Sequence, residues 1–373
     1  MSVAPITLCM IVKNEEQAVA AALESARPVV DDMVVVDTGS SDGTAAVAGK
    51  YTSRIYSFEW SDDFAAARNF AMEHVRTPWI LWLDADEQLA VVDGERWRRS
   101  FAQKSRAADA LLVTIHNYYG PVASELNMHL YGGFRLLRTG ANLRYRQRIH
   151  EHLDVSRPGL RLDHEPVDGV VIRHYGYMDD PARKKEKSAR NRRLLERERE
   201  RPDYDPWIDY HLAVEHYRRG EHAAAFDCVQ RSLKRFLEKG KLPPPLAYKL
   251  KYELLLVTGS TRHALEGIEY AIRLYPDYVD LYYCKGLFEY GQGRYEDALN
   301  TFNKCLELGE KPRYLTLKGT GSFLASYMVG MCLEALGQPA QARAVYAELV
   351  RRFPAFEPPA ARLAALQHGT EGA

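Results

Sequence analysis

Five consecutive apolar residues, Trp79-Ile80-Leu81-Trp82-Leu83, follow Pro78 and run straight into Asp84-Ala85-Asp86-Glu87. A run this short cannot cross a membrane, and it reads as a strand buried on both faces of a parallel sheet. Ligands of open α/β sheets collect at the carboxyl ends of strands, where the three carboxylates fall. If the chain stays extended past Leu83, Asp84 and Asp86 point to one side and Ala85 to the other. Two like charges so placed repel unless a cation or a hydrogen-bond donor lies between them. A hard cation suits them, because Mg²⁺-like ions take one or two carboxylates and complete their shell with phosphate oxygens. The plainer reading is a surface turn after a core strand.

The residues around this run keep an α/β rhythm. Strands are predicted at 6–12, 32–37 and 54–58, with helices at 18–23, 45–50 and 64–74 between them. Asp62 or Asp63 would cap the third helix. Strands alternating with helices at this pitch predict a mostly parallel, doubly wound sheet. Further on, 94–106 reads as an exposed helix, and 110–115, 129–138 and 170–177 as strands.

The chain has 373 residues, comfortable for two domains, with 50 basic and 50 acidic side chains. That balance gives no global field for nucleic acid. Cys9, Cys228, Cys284, Cys305 and Cys332 are odd in number and lack metal-type spacing, so a reduced, cytoplasmic setting is expected. Residues 6–12 have no preceding basic residue and lead into Lys13-Asn14-Glu15-Glu16, which fits a first strand and not a secretory leader. No apolar run approaches the roughly 18 residues that span a bilayer, so no integral membrane segment is expected.

Four blocks in order, Lys13-Asn14-Glu15-Glu16, Val36-Asp37-Thr38-Gly39-Ser40-Ser41-Asp42-Gly43-Thr44, Ala67-Arg68-Asn69 and Asp84-Ala85-Asp86, resemble family 2 glycosyltransferases of the GT-A fold. With the later Ile149-His150-Glu151 and helical repeats, the chain is similar to the sublancin-type peptide S-glycosyltransferases. The lipopolysaccharide core glucosyltransferases, which lack repeats, share the first blocks. The resemblance implies that Glu15 and Asp37 contact the nucleoside, that Arg68 touches the nucleotide, that Asp84 is the ribose-side carboxylate and that Asp86 is a metal ligand. It also implies Glu151 as catalytic base and His174 as the residue completing the site for Mn²⁺ or Mg²⁺. Plainer readings stand beside these: Asp37 and Asp42 as turn and cap residues, Arg68 as a solvated helix charge, Glu151 as a surface carboxylate, and His174 as a buried structural histidine. Trp60, Trp82, Tyr118 and Tyr119 are core or sugar-stacking aromatics. A zinc reading of His150, Glu151, His152 and His174 is set aside, since no CxxC or HxxxH pattern accompanies them.

Between Arg183 and Arg201 stand ten basic and four acidic residues, which predict a charged helix linking two domains, some of whose lysines could reach a diphosphate. Beyond Pro202 a period of 34 residues separates Ala264 from Ala298. Gly286, Ala298 and Phe302, and again Gly330, Ala342 and Tyr346, fit the small-then-aromatic pattern of tetratricopeptide repeats. Four units are expected between about Asp205 and Pro354, with a capping helix after them, and Tyr248, Tyr252, Tyr270, Tyr282 and Tyr283 read as repeat packing. The expected organisation is a transferase domain at 1–178, a charged link at 179–203 and an all-α repeat domain at 204–373. The expected activity is metal-dependent, inverting transfer of a hexose from a UDP-sugar to a peptide or protein acceptor held by the repeats. Homodimerisation through the repeats is equally open. A lipopolysaccharide or other cell-surface glycan acceptor is the alternative within that chemistry, and a repeat scaffold with an inactive transferase domain the alternative outside it.

Overall fold

A computed structural model describes residues 4–178, 181–261 and 264–368. Residues 179 and 180, where the charged link was expected to begin, lie outside the described residues, as do the side chains of the lysines at 184, 185 and 187. The chain divides into two compact units, Met1–Ala123 with Leu130–Leu194, and Ser124–His129 with Leu195–Ala373.

The first unit is built on one sheet. Its strands are β1 (Ile6–Val12), β2 (Asp32–Asp37), β3 (Ile55–Ser57), β4 (Trp79–Trp82), β5 (Glu87–Val91), β6 (Ala110–Gly120), β7 (Met128–Arg138), β10 (Leu162–Asp163) and β11 (Val170–Met178), with a separate short pair, β8 (Tyr145–Arg146) and β9 (His152–Leu153). The order is β3-β2-β1-β4-β7-β6-β11-β5, with β10 beside β6. The edge formed by β3, β2, β1 and β4 is parallel, while β7 runs antiparallel to β4 and β5 antiparallel to β11. Helices α1 (Val19–Ala26), α2 (Thr44–Ala48), α3 (Phe64–Glu73) and α4 (Gly94–Ala107) fill the crossovers.

The apolar runs behave as doubly buried strands must. Ile6, Leu8, Met10, Val35, Trp79 and Leu81 enter one core layer. Their neighbours Cys9, Val34, Val36, Ile80 and Trp82 enter the other. Each side chain removed from water this way contributes roughly 1.5–3 kcal/mol, which fixes the strand and aims whatever follows it. Asp63 caps α3 by accepting from the Ala66 N–H at 2.8 Å, settling the choice between the two aspartates. The strand β5 has no counterpart in the sequence reading. It is short and starts with a charge, Glu87, whose side chain is buried.

The charged stretch is helix α5 (Pro181–Arg199), and the division between units falls inside it, after Leu194. In the second unit four helix pairs follow: α6 (Trp207–Arg218) with α7 (His222–Glu238), α8 (Pro245–Val257) with α9 (Ala264–Leu274), α10 (Val279–Gly291) with α11 (Tyr295–Leu308), and α12 (Phe323–Ala335) with α13 (Pro339–Arg352). Helix α14 (Pro358–His368) comes last. A methyl group at Gly286 would lie 2.7 Å from the Phe302 ring, so the small residue and its aromatic partner are one packing device. The stretched spacing before α12 is an ordered loop. Glu310 accepts from the Gly319 N–H (2.8 Å), Ser322 Oγ (2.7 Å) and Lys318 Nζ (2.7 Å), and buried Asp280 accepts from Thr320 Oγ1 (2.7 Å) and Lys249 Nζ (2.5 Å). No described helix is long and apolar enough to cross a membrane.

Candidate active site

The first two sequence blocks interlock. Asn14 adopts φ 54° and accepts from the Ser41 N–H at 2.8 Å, while its own N–H donates to Ser40 Oγ at 3.0 Å. Glu16 accepts from the Gly43 N–H (3.1 Å), and the Glu15 N–H donates to Thr44 Oγ1 (2.8 Å). Asp42 accepts from Thr44, whose hydroxyl holds its carboxyl below the usual range. Asp37 Oδ1 accepts from the Gly39 and Ser40 N–H groups at 3.0 and 2.7 Å, which is a turn role, and Gly39 supplies the φ of +97° that the turn requires. Two loops at neighbouring strand ends are thereby locked together, with Glu15 and Asp37 at their rim.

Arg68 on α3 lies under the next part of the site. Its Nε donates to Glu151 Oε1 at 2.6 Å and its Nη2 to Asp84 Oδ1 at 2.7 Å. The guanidinium lies 4.8 Å from the Trp82 ring centre and 5.3 Å from that of Tyr145. It is buried, so the solvated-charge reading does not hold. Burial alone would favour the neutral form, yet the Asp84 and Glu151 carboxylates hold its pKa well above the ordinary value. Glu151 reaches Arg68 because Asn69 clamps β8: its side chain accepts from the Tyr145 N–H at 2.8 Å and donates to the Tyr145 carbonyl at 3.0 Å. Strand β8 pairs with β9, and Glu151 stands at the start of that return.

The Asp-X-Asp segment departs from the extended geometry expected of it. The chain turns at Ala85 and Asp86, with the Glu87 N–H donating to the Asp84 carbonyl at 3.0 Å. The two aspartates therefore face different partners. Asp84 meets Arg68 and, at 3.8 Å, Arg135 of β7. Burial would raise its carboxyl, but these two guanidiniums hold it low. Glu87 bridges from behind, accepting from Arg135 Nη2 at 2.6 Å and from the Asp84 N–H at 2.9 Å.

Asp86 instead meets His174, Oδ1 to Nε2 at 3.4 Å. Strand pairing makes this contact: β5 pairs His174 with Glu87, β6 pairs it with Asn117, and a bulge follows in β11. His174 Nδ1 is hydrogen-bonded to Asn117 Oδ1, which leaves Nε2 directed at Asp86. Burial would push the imidazole down, but Asp86 outweighs it and His174 titrates above its ordinary value.

Gly176 completes this corner. A methyl group there would lie against Asp86 Oδ2 and 2.6 Å from His174 Nε2. A carboxylate and an imidazole converging beside a bare backbone, with the far ring nitrogen anchored, is a donor set that fits a divalent cation. Charge points the same way, since the carboxylates of half-buried Asp84, Asp86 and Glu151 and of buried Glu87 outnumber the guanidiniums of Arg68 and Arg135. Among the described residues no set of three His, Cys, Asp or Glu side chains is placed to hold an ion, so further ligands would come from a substrate.

Of the expected site residues, Arg68, Asp84 and Glu151 form one ion-paired row, Asp86 and His174 a second cluster, and Glu15 and Asp37 a loop rim. Arg135, Asn117 and Asn69 were missed. Trp82 is a core residue against Arg68, Tyr118 stacks on Tyr175 at 5.5 Å, and Trp60 packs edge-on to Phe64 at 4.7 Å.

Comparison with known proteins bears on the family of each part of the chain. The Glycosyl transferase family 2 profile matches residues 7–144, and a tetratricopeptide repeat profile matches residues 324–355. A TPR repeat-containing protein of Synechococcus elongatus is 32% identical over 69% of this chain and 62% of its own length. The prophage-derived glycosyltransferase SunS of Bacillus subtilis is 24% identical over 62% of this chain and 54% of its own. The lipopolysaccharide core biosynthesis glycosyltransferase LpsC of Rhizobium meliloti is 34% identical over 23% of this chain and 33% of its own. The chain thus spans about half to three fifths of the length of the first two relatives. It carries a glycosyl transferase family 2 domain followed by C-terminal tetratricopeptide repeats.

Proposed function

We propose that this chain transfers a hexose from a UDP-sugar to a peptide or protein side chain, with inversion and with Mn²⁺ or Mg²⁺, and does so in the cytoplasm. In this reading residues 1–178 carry the transferase and residues 204–373 help select the acceptor. The observation that carries it is the convergence of Asp86 and His174 beside Gly176, two residues from an Asp84 fixed by arginines. A divalent ion held by Asp86 and His174 would act as Lewis acid on the diphosphate. Buried Arg68 Nη1 has no hydrogen-bond partner among the described residues, and an oxygen of the nucleotide would satisfy it. Asp84 is held in place for the ribose, and Glu15 and Asp37 stand at the loop rim for the nucleoside.

The acceptor hydroxyl or thiol attacks the anomeric carbon. Its bond to that carbon forms as the carbon–phosphate oxygen bond breaks, its proton passes to Glu151, and UDP leaves with the bonding pair. Arg68 orients Glu151 through one oxygen, leaving the other carboxylate oxygen to take the proton. Five unpaired, buried cysteines support a reducing compartment.

The resemblance of the sequence blocks to sublancin-type peptide S-glycosyltransferases favours a peptide acceptor, and similarity to LpsC over the shorter stretch favours a lipopolysaccharide or other cell-surface glycan. Mass spectrometry of candidate peptides and glycans after incubation with UDP-hexoses separates the two. A hexose mass on a peptide supports the first reading, and a hexose mass confined to glycans replaces it with the second.

A further inference from the structure

The donor's diphosphate is an anion, and the site it must enter is rich in carboxylates. Glu15, Asp62 and Glu151 form one acidic edge, all three within electrostatic reach of helix α5, and Arg68 and Arg135 are engaged by Asp84, Glu87 and Glu151, which leaves only the buried Nη1 of Arg68 without a partner among the described residues. A phosphate approaching such an edge is repelled unless a further cation meets it. Helix α5 brings one. Arg190 lies over the Phe64 ring, 5.2 Å from its centre, and faces Glu151, Asp62 and Glu15. Arg193, one turn on, donates to Asp62 at 3.1 Å and ties the helix to the loop that opens α3.

Arg190 makes no ion pair within 4 Å among the described residues. Among the described residues its one hydrogen bond is a 3.3 Å contact to its neighbour Asn191. The guanidinium is thus partly desolvated against an aromatic face, oriented by it, and retains donors for an incoming oxyanion. Burial lowers its pKa from the free value, which agrees with a partly desolvated cation.

We propose that Arg190 is a donor-binding residue that grips a phosphate of the nucleoside diphosphate from α5. The role rests on the nucleotide-sugar reading above. It also explains why a highly charged helix directly follows the transferase fold: one turn of it completes the site.

The test is calorimetric binding of UDP and of uridine to the full chain with Mn²⁺ present, for the wild type, Arg190→Gln and Arg190→Lys. A charge-assisted pair to phosphate is lost in Arg190→Gln, so UDP should bind about tenfold more weakly. Uridine binding should stay within twofold, and Arg190→Lys should recover part of the UDP affinity. Equal loss for UDP and uridine, or no loss for UDP, overturns the assignment, the former marking Arg190 as a packing residue on Phe64. Failure of the wild type to bind UDP at all would instead overturn the nucleotide-sugar reading.

Discussion

Asp86 Oδ1 and His174 Nε2 lie 3.4 Å apart, brought together by the antiparallel pairing of β5 with β11, although 88 positions separate them in the chain. Neighbouring ligands of one octahedral cation with bonds of about 2.1 Å are about 3 Å apart, so the pair needs little movement to share an ion. Asp86→Ala or His174→Ala should therefore abolish Mn²⁺ binding followed by electron paramagnetic resonance. Asn117→Ala, which frees the far ring nitrogen, should weaken it by about 10- to 100-fold. Mn²⁺ affinity unchanged in Asp86→Ala would remove the pair from the metal site.

Arg68 joins Asp84 to Glu151, and deleting it takes the direct ion pair from Glu151 and leaves Asp84 only the 3.8 Å contact to Arg135. Arg68→Leu should lower unfolding free energy by about 3–5 kcal/mol, measured by denaturant titration. Glu151→Gln keeps an acceptor for Arg68 and should cost under about 1 kcal/mol, while losing a base should slow turnover by about 10²–10⁴. A Glu151→Gln enzyme with full turnover would assign the base elsewhere.

The parallel edge of the fold was legible because β1, β2 and β4 are mostly apolar runs, and helices follow β1, β2 and β3, the last with Asp63 as its cap. The repeats were legible from Gly286 with Phe302 and Gly330 with Tyr346, where geometry demands a small residue and a ring at fixed spacing. Strand β5 was not, because its pattern from Glu87 to Val91 mixes a buried charge with exposed Val91, and no local signal separates that from a loop. The expectation that Asp84 and Asp86 share one side failed for the same reason, since the turn between them is set by β5 joining β11. Arg135 and Asn117 have no local mark at all. Their roles exist only through strand neighbours, and a β-pattern shows which face a residue takes without naming its partner.

In the second unit, half-buried His129 lies near Lys249 and Arg218, and burial followed by those two cations pushes its pKa down to about 3. In the unfolded chain the imidazole titrates near 6.5, so from there down toward pH 3 the unfolded state binds more protons. Its contribution is complete above about pH 6.5 and is lost as pH falls, at no more than about 1.4 kcal/mol per pH unit. Unfolding free energies at pH 7 and 4.5 should differ less in His129→Asn than in the wild type. Parallel pH profiles would contradict this.

Gly286 faces the Phe302 ring at a distance no methyl group tolerates, and both the ring and the glycine are buried. Gly286→Val should destabilise the repeats by about 1–3 kcal/mol. Adding Phe302→Ala should recover part of that loss, which a double-mutant cycle of denaturant midpoints would detect. Strict additivity would mean that the two residues do not share a packing contact.

Nucleotide release from a panel of UDP-hexoses, followed with Mn²⁺ and again with excess EDTA, tests the central claim most directly. At least one donor should yield UDP with Mn²⁺ present, and EDTA or Asp86→Ala should reduce the rate at least a hundredfold. Release from any donor at the same rate with EDTA, or in Asp86→Ala, would contradict a cation held at Asp86 and His174 as the agent that draws off the nucleotide.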